Sequence, residues 1–182
     1  MTCNLCDASP AIALGASDDS PPNALVVSIP PLPAYPGNAS AEGWIATGLG
    51  ASKVSLAFDF KVDQASGALL SLFTVAGFYV RLDIAASSIT ITEQDLNDGG
   101  GSYGHMADAG VVDLTKWHRF SMTYDLDTRA ARVTLDGITI LSETFDYTGF
   151  GSILYQLGVE YVQGPSSAQG YHYDNVVLAT TP

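Results

Sequence analysis

The feature that most constrains this chain is an alternation of apolar and polar residues with a period of two. Every second residue is apolar over 54–60, 120–126 and 131–135. Because successive side chains of a strand point to opposite faces, each run predicts a strand with one buried and one solvated face. Asp136-Gly137, between two such runs, predicts a tight hairpin turn. No segment carries a helical apolar stripe with matching caps.

Long breaks separate these runs. Residues 30–43 hold four prolines, residues 97–110 hold five glycines, and a third break lies at 164–167. We therefore expect extended surface loops at these places. The regular spacing of the remaining segments predicts two antiparallel sheets packed face to face. The predicted strands are 11–15, 23–29, 43–49, 52–62, 67–75, 77–85, 87–93, 110–114, 117–126, 129–136, 138–146, 152–163 and 169–179.

Length and charge narrow the class of protein. A chain of 182 residues with 47% hydrophobic residues fits one domain with its own core. We expect a flexible tail at 1–10 and a single domain at 11–182. A net charge of −12 repels phosphate groups, which argues against nucleic acid as a partner. No apolar run approaches the ~20 residues that a membrane span requires.

The two cysteines, Cys3 and Cys6, both lie near the N-terminus. A zinc site would need two further ligands, so one Cys-x-x-Cys pair alone does not predict a metal centre. A small local disulfide and two free thiols both remain compatible with this spacing.

Three segments in the second half carry a family resemblance. Residues 117–125 read WHRFSMTYD, residues 132–137 read RVTLDG, and residues 173–178 read YDNVVL. In this order they resemble the strands of concanavalin A-like jelly rolls, the superfamily of lectins, glucanases and laminin-G domains. Residues 20–27 look like an early strand of the same proteins. The resemblance implies an all-β, two-sheet antiparallel jelly-roll sandwich, but this superfamily includes both enzymes and binding modules.

Catalysis is disfavoured by the distribution of acids. Retaining glucanases of this fold place Glu-x-Asp-x-Glu on one strand, because two carboxyl groups about 5–5.5 Å apart act as nucleophile and acid. Of the four glutamates here, only Glu93 has an acid two residues away, Asp95, and that pair precedes the glycine-rich segment. A lyase would need a tyrosine or histidine base beside a cation, and the seven basic residues are scattered. We therefore expect a protein that is not an enzyme.

Aromatic and amide side chains near the C-terminus predict a sugar-binding site. Aromatic faces stack on the C–H patches of sugars, while amides and carboxylates bind hydroxyl groups. We expect a groove closed by the glycine-rich loop, with ordinary sheet packing as the alternative for these residues. Trp44 is a further candidate or a core anchor. The predicted ligand-binding residues are Tyr103, His105, Gln156, Glu160, Tyr171 and Tyr173.

A structural calcium is implied by the resemblance. Many jelly rolls of the superfamily hold calcium through an aspartate of the closing strand and backbone carbonyls of early loops, and Asp174 matches that position. Asp174 also sits beside apolar residues expected to face inward, where an unpaired carboxylate is costly. Asn23 marks the expected carbonyl donors. Capping of loop amides is the alternative role for Asp174.

These observations predict a non-catalytic carbohydrate-binding or adhesive module of an exported or cell-surface protein. The expected partner is a glycan or cell-surface polysaccharide. The alternative is a structural or protein-interaction domain of the laminin-G type, and a polysaccharide hydrolase or lyase is less favoured. Low lysine content and few cysteines fit a bacterial exported protein.

Overall fold

A computed structural model describes residues 2–4, 11–15, 24–29, 37–45, 52–63, 69–75, 78–85, 88–95, 102–107, 109–110, 112–146, 153–161 and 169–182. Within these ranges the chain forms fourteen strands and no helix. The strands are β1 (Thr2–Asn4), β2 (Ala11–Gly15), β3 (Ala24–Ile29), β4 (Gly37–Ile45), β5 (Lys53–Val62), β6 (Leu69–Val75), β7 (Phe78–Ala85), β8 (Ser88–Asp95), β9 (Ser102–Ala107), β10 (His118–Asp125), β11 (Ala130–Leu135), β12 (Ile138–Thr144), β13 (Ile153–Tyr161) and β14 (Gln169–Thr181).

The strands form two antiparallel sheets of seven strands each. Sheet A has the order β1-β4-β13-β6-β7-β8-β9, and sheet B has the order β12-β11-β10-β5-β14-β3-β2. The predicted all-β antiparallel sandwich is therefore confirmed. Among the described residues, no helix is long and apolar enough to cross a membrane.

The core lies against the central strand of sheet B. In β5 the buried residues alternate strictly with more exposed ones, and Leu56, Phe58 and Phe60 all face inward. Ile89 and Ile91 of β8 supply buried side chains from sheet A. The period-two pattern therefore corresponds to one face of sheet B that is removed from water, as in other sandwiches.

Two predicted loops contain strands. Gly37–Ile45 forms β4 at the end of the proline-rich segment, and Ser102–Ala107 forms β9 inside the glycine-rich segment. The prolines precede β4, and most of the glycines precede β9, so the pairing of β4 with β13 and of β9 with β8 is not interrupted. The tail predicted at 1–10 contains β1, which pairs with β4.

The strand predicted at 110–114 is absent from the described residues of that range. Gly110 has a φ of +64°, a left-handed conformation that ends regular pairing. Leu114 is buried, and its carbonyl oxygen accepts a hydrogen bond from the Val62 amide at 2.9 Å. The segment is therefore a turn anchored on the end of β5.

Candidate functional site

The described polar side chains converge on the outer face of sheet B, the face turned away from the core. β14 pairs with β5 so that His172 lies opposite Lys61 and Asp174 opposite Asp59. Tyr171 and Tyr173 are buried, so the alternate residues His172 and Asp174 lie on the outer face.

Tyr171 and Tyr173 do not form an open sugar platform. Each is only 4% exposed, and the ring of Tyr173 lies 5.8 Å from that of Phe58 in an edge-on contact. Burial, together with nearby Tyr173 and Asp63, raises the pKa of the Tyr171 hydroxyl. Both tyrosines belong to the core of sheet B, which corrects the predicted groove.

Gln156 and Glu160 lie in the other sheet, on β13. The register pairs Gln156 with Glu42 and Glu160 with Asn38 of β4, and the same register pairs Leu154 with Trp44. Residues directly opposite in an antiparallel pair share a face of the sheet. By register these positions lie on one face of sheet A, where four polar residues share a row with Leu154 and Trp44, separate from Tyr171 and Tyr173.

Tyr103 and His105 both lie on β9, at the edge of sheet A. Tyr103 is in register with Glu93 of β8. The Nδ1 atom of His105 lies 2.6 Å from Oε2 of Glu143 on β12, and its ring stacks on Phe145 at 4.4 Å between centroids. His105 therefore joins the adjacent edges of the two sheets, a role that the sequence did not predict.

The carboxylate of Asp174 lies on the outer face rather than among inward-facing apolar residues. Its Oδ1 atom accepts a hydrogen bond of 2.7 Å from the amide of Asn175, whose φ is +47°. Within the described residues, no group of three acids, histidines or cysteines is placed to hold a metal ion. Asn23 lies outside the described residues, so the predicted calcium site stays a prediction.

Arg119 connects three strands of sheet B. One guanidinium nitrogen, Nη1, donates to Asp59 Oδ1 at 3.1 Å and to the Asn175 carbonyl at 2.9 Å. The side-chain amide of Asn175 donates to the other oxygen of Asp59 at 2.6 Å. Both oxygens of Asp59 are therefore occupied, and Arg119 fixes the bulge at Asn175 to β5 and β10.

His118 holds the hairpin turn between β11 and β12. Its Nδ1 lies 2.8 Å from Asp136 Oδ2, and its Nε2 lies 2.9 Å from the Asp113 carbonyl oxygen. The second oxygen of Asp136 accepts the Arg119 amide at 2.8 Å. Asp136 and Gly137 both have positive φ, as the predicted tight turn requires.

This turn gives a pH-dependent prediction. Burial of the Asp136 carboxyl raises its pKa, but hydrogen bonds from His118 and the Arg119 amide, with the His118 charge, lower it by more. The ionised carboxylate therefore stabilises the fold above the ordinary pKa of 3.8. That stabilisation is lost as the pH falls through the lower pKa of the folded state.

We expect Asp136→Asn to lower the free energy of unfolding at pH 7 by about 0.5–1 kcal/mol, because the carboxylate is 48% exposed. Asparagine keeps the left-handed turn conformation. Urea denaturation from pH 7 to pH 2 is the measurement, with the exposed Asp127→Asn as the control. A stability difference that stays constant below pH 3.8 would exclude this role for the Asp136 charge.

A second polar cluster, here called the indole–imidazole cluster, consists of Lys61, Asp63, Trp117 and His172. His172 Nε2 lies 2.8 Å from Asp63 Oδ1, and the Lys61 amine lies 5.2 Å from the centre of the Trp117 ring. A Cβ atom on Gly170 would collide with the Asp63 carboxylate, so glycine at 170 allows that carboxylate to reach His172. This cluster was not predicted from the sequence.

Comparison with known proteins relates the chain to solved structures through its fold. No protein-family model matches the sequence, and no curated protein sequence matches it. "Cellulose induced protein, Cip1" superposes with a TM-score of 0.66 at 12% identity, over 97% of this chain and 88% of that one. Alginate lyase AlgAT5 of polysaccharide lyase family 7 gives 0.59 at 10% identity, over 93% and 82% of the two chains.

A third similar structure is the catalytic domain of an endo-1,3-beta-glucanase (laminarinase) from Thermotoga petrophila RKU-1. Its TM-score is 0.57 at 11% identity, over 88% of this chain and 79% of that one. These proteins are jelly-roll sandwiches of the concanavalin A-like superfamily. The concanavalin A-like fold expected from residues 117–125, 132–137 and 173–178 is thus confirmed, while identities this low establish the fold alone.

Proposed function

We propose that this chain is a non-catalytic carbohydrate-binding or adhesive module of an exported or cell-surface protein. The observation that carries the proposal is the similarity of 97% of the chain to a jelly roll named as a cellulose-induced protein. Similar structures named as an alginate lyase and a laminarinase support a polysaccharide as the partner. This partner also agrees with a net charge of −12, which is unfavourable for nucleic acid.

The proposed binding face is the polar row of β4 and β13. In the register of these strands, Gln156 pairs with Glu42 and Glu160 with Asn38. The intervening pairs, such as Leu157 with Ala41 and Val159 with Ala39, are apolar. This alternation is typical of an antiparallel sheet with one face on a core and one on solvent. Amides and carboxylates in a row, with Trp44 at one end, match the hydroxyl groups and apolar patches of a sugar chain.

The engagement of acids in structural contacts supports a non-catalytic role. Within the described side chains, Asp59 is bound by Arg119 and Asn175, Asp136 by His118, and Glu143 by His105. A glycosidase needs two carboxyl groups that face the substrate and exchange protons with it. Carboxylates engaged in such structural hydrogen bonds are poorly suited to that work.

Affinity electrophoresis through gels containing cellulose derivatives, laminarin or alginate tests the binding proposal. We expect at least one polysaccharide to retard the wild-type protein, and Gln156→Ala and Glu160→Gln each to weaken binding by about tenfold, the loss of one charge-assisted or neutral hydrogen bond. Asp146→Asn, an exposed change in the bend that follows β12, is the matched control. Equal retardation of all variants would show that the binding face is not the row on β4 and β13. No retardation on any polysaccharide would favour the protein-interaction alternative.

We also propose that calcium binds at Asp174 and stabilises the fold. Asp174 Oδ1 is held by the Asn175 amide, and the side chain lies opposite Asp59 in the register of β14 and β5. Calcium at ten times its Kd stabilises a protein by about 1.4 kcal/mol, which raises Tm by roughly 3–6 °C at this chain length. We expect EDTA to remove this increment from the wild type and to leave Asp174→Asn unaffected. A wild-type Tm that is insensitive to EDTA and to added calcium would end the proposal.

A further inference from the structure

The indole–imidazole cluster contains two buried polar atoms, one in the indole ring of Trp117 and one in the imidazole ring of His172. Trp117 precedes β10, His172 lies on β14, and their rings are 6.4 Å apart in an edge-on arrangement at 73°. Among the described residues, Trp117 Nε1 and His172 Nδ1 are the two buried side-chain nitrogen or oxygen atoms that have no hydrogen-bond partner. Both belong to this one cluster.

The hydrogen bond between His172 and Asp63 determines whether His172 Nδ1 is a donor or an acceptor in the neutral ring. A carboxylate oxygen accepts hydrogen bonds, and Asp63 Oδ1 lies 2.8 Å from His172 Nε2, so Nε2 carries the proton of the neutral ring. The Nδ1 atom of that tautomer has a lone pair and acts as an acceptor. Trp117 Nε1 has a hydrogen atom and acts as a donor.

Trp117 Nε1 is a donor and His172 Nδ1 is an acceptor, and neither has a partner in the described part of the chain. A single small molecule that can both accept and donate a hydrogen bond would satisfy both atoms. A direct bond between them is absent, and each buried polar atom left unpaired lowers stability. Buried water molecules typically make two to four hydrogen bonds with polar groups of this kind. The Lys61 amine lies over the indole ring, and the buried Gly170 lies beside the Nε2 atom of His172.

We propose that the indole–imidazole cluster is a binding site for one buried water molecule, which accepts from Trp117 Nε1 and donates to His172 Nδ1. The water connects the turn that precedes β10 to β14. It also holds His172 in a single tautomer with a structural role, because Asp63 binds Nε2 and the water binds Nδ1. This site is independent of the proposed sugar-binding face, which lies in sheet A.

Nuclear magnetic resonance on ¹⁵N-labelled protein at mildly alkaline pH tests the proposal. We expect a nuclear Overhauser cross-peak between the Trp117 indole proton and a long-lived water. We also expect His172 nitrogen shifts typical of a protonated Nε2 and an unprotonated Nδ1. Trp44→Phe is the matched control, because it removes the other indole of the chain and keeps the cross-peak.

Trp117→Phe removes the donor and should abolish the cross-peak without changing the His172 tautomer, because Asp63 still holds Nε2. A crystal structure should place a water oxygen about 2.7–3.2 Å from both atoms. Either of two results would overturn the proposal: an indole proton that exchanges rapidly and shows no water cross-peak, or an electron density map in which Trp117 Nε1 bonds directly to a protein atom.

Discussion

Phe58→Ala is expected to lower the free energy of unfolding by about 3–5 kcal/mol, the usual effect of emptying an aromatic core position. Phe58 is 2% exposed at the middle of β5. Its ring lies 5.0 Å from Phe120, 5.9 Å from Phe60 and 5.8 Å from Tyr173, measured between centroids. The substitution therefore removes the shared contact of three neighbouring strands. Urea denaturation followed by circular dichroism measures the change.

Val177→Ala is the matched control for this core substitution. Val177 lies in the same sheet but is 52% exposed, so its truncation should change the free energy of unfolding by less than about 0.5 kcal/mol. Equal effects of the two substitutions would mean that the inward face of sheet B is not the centre of the core.

Arg119→Met is expected to lower the free energy of unfolding by about 1.5–3 kcal/mol, the range for hydrogen bonds to charged groups. Methionine keeps the length of the apolar stem but removes the donors to Asp59 and to the Asn175 carbonyl. The side chains of Arg119 and Asp59 are 39% and 24% exposed, so solvent screening holds the effect below that of a fully buried ion pair.

A double-mutant cycle with Asp59→Asn separates the pair from other effects of Arg119. We expect a coupling energy of about 0.5–1 kcal/mol between the two positions and faster amide exchange at the bulge of β14 in Arg119→Met. The exposed Arg132→Met, on the neighbouring strand β11, serves as the control. If the effects of Arg119→Met and Asp59→Asn on the free energy of unfolding were simply additive, the proposed interaction between the two side chains would be contradicted.

The strands with a regular alternation of apolar and polar residues were predictable, because every second side chain along each of them is buried in the core. The alternation over 54–60 and 120–126 and the turn at Asp136-Gly137 correspond to β5, β10 and the hairpin of β11 and β12. Strands β4 and β9 were not predictable from local composition. Glycine and proline weaken a strand's own preference, but pairing with β13 and β8 supplies the backbone hydrogen bonds.

The candidate site was less predictable, because a β-bulge changes the phase of β14. The register shifts between Asp174 and Val177, so His172 and Asp174 face outward although Leu178, an even number of residues later, packs against the core. The sequence-based prediction assumed an uninterrupted alternation of faces over 171–178. It therefore placed Tyr171 and Tyr173 on the open face of the sheet. The Arg119 network was also beyond local patterns, since its partner Asp59 lies 60 residues earlier in the chain.

The most direct test of the proposed function measures binding and cleavage in the same sample. The purified protein is incubated with insoluble cellulose, laminarin gel and alginate gel, and mass spectrometry measures both the retained protein and any released sugar fragments. We predict retention on at least one polysaccharide, with no fragments above the level of a protein-free control. Saturated or unsaturated oligosaccharides that accumulate in proportion to protein concentration would contradict the account and identify the chain as an enzyme.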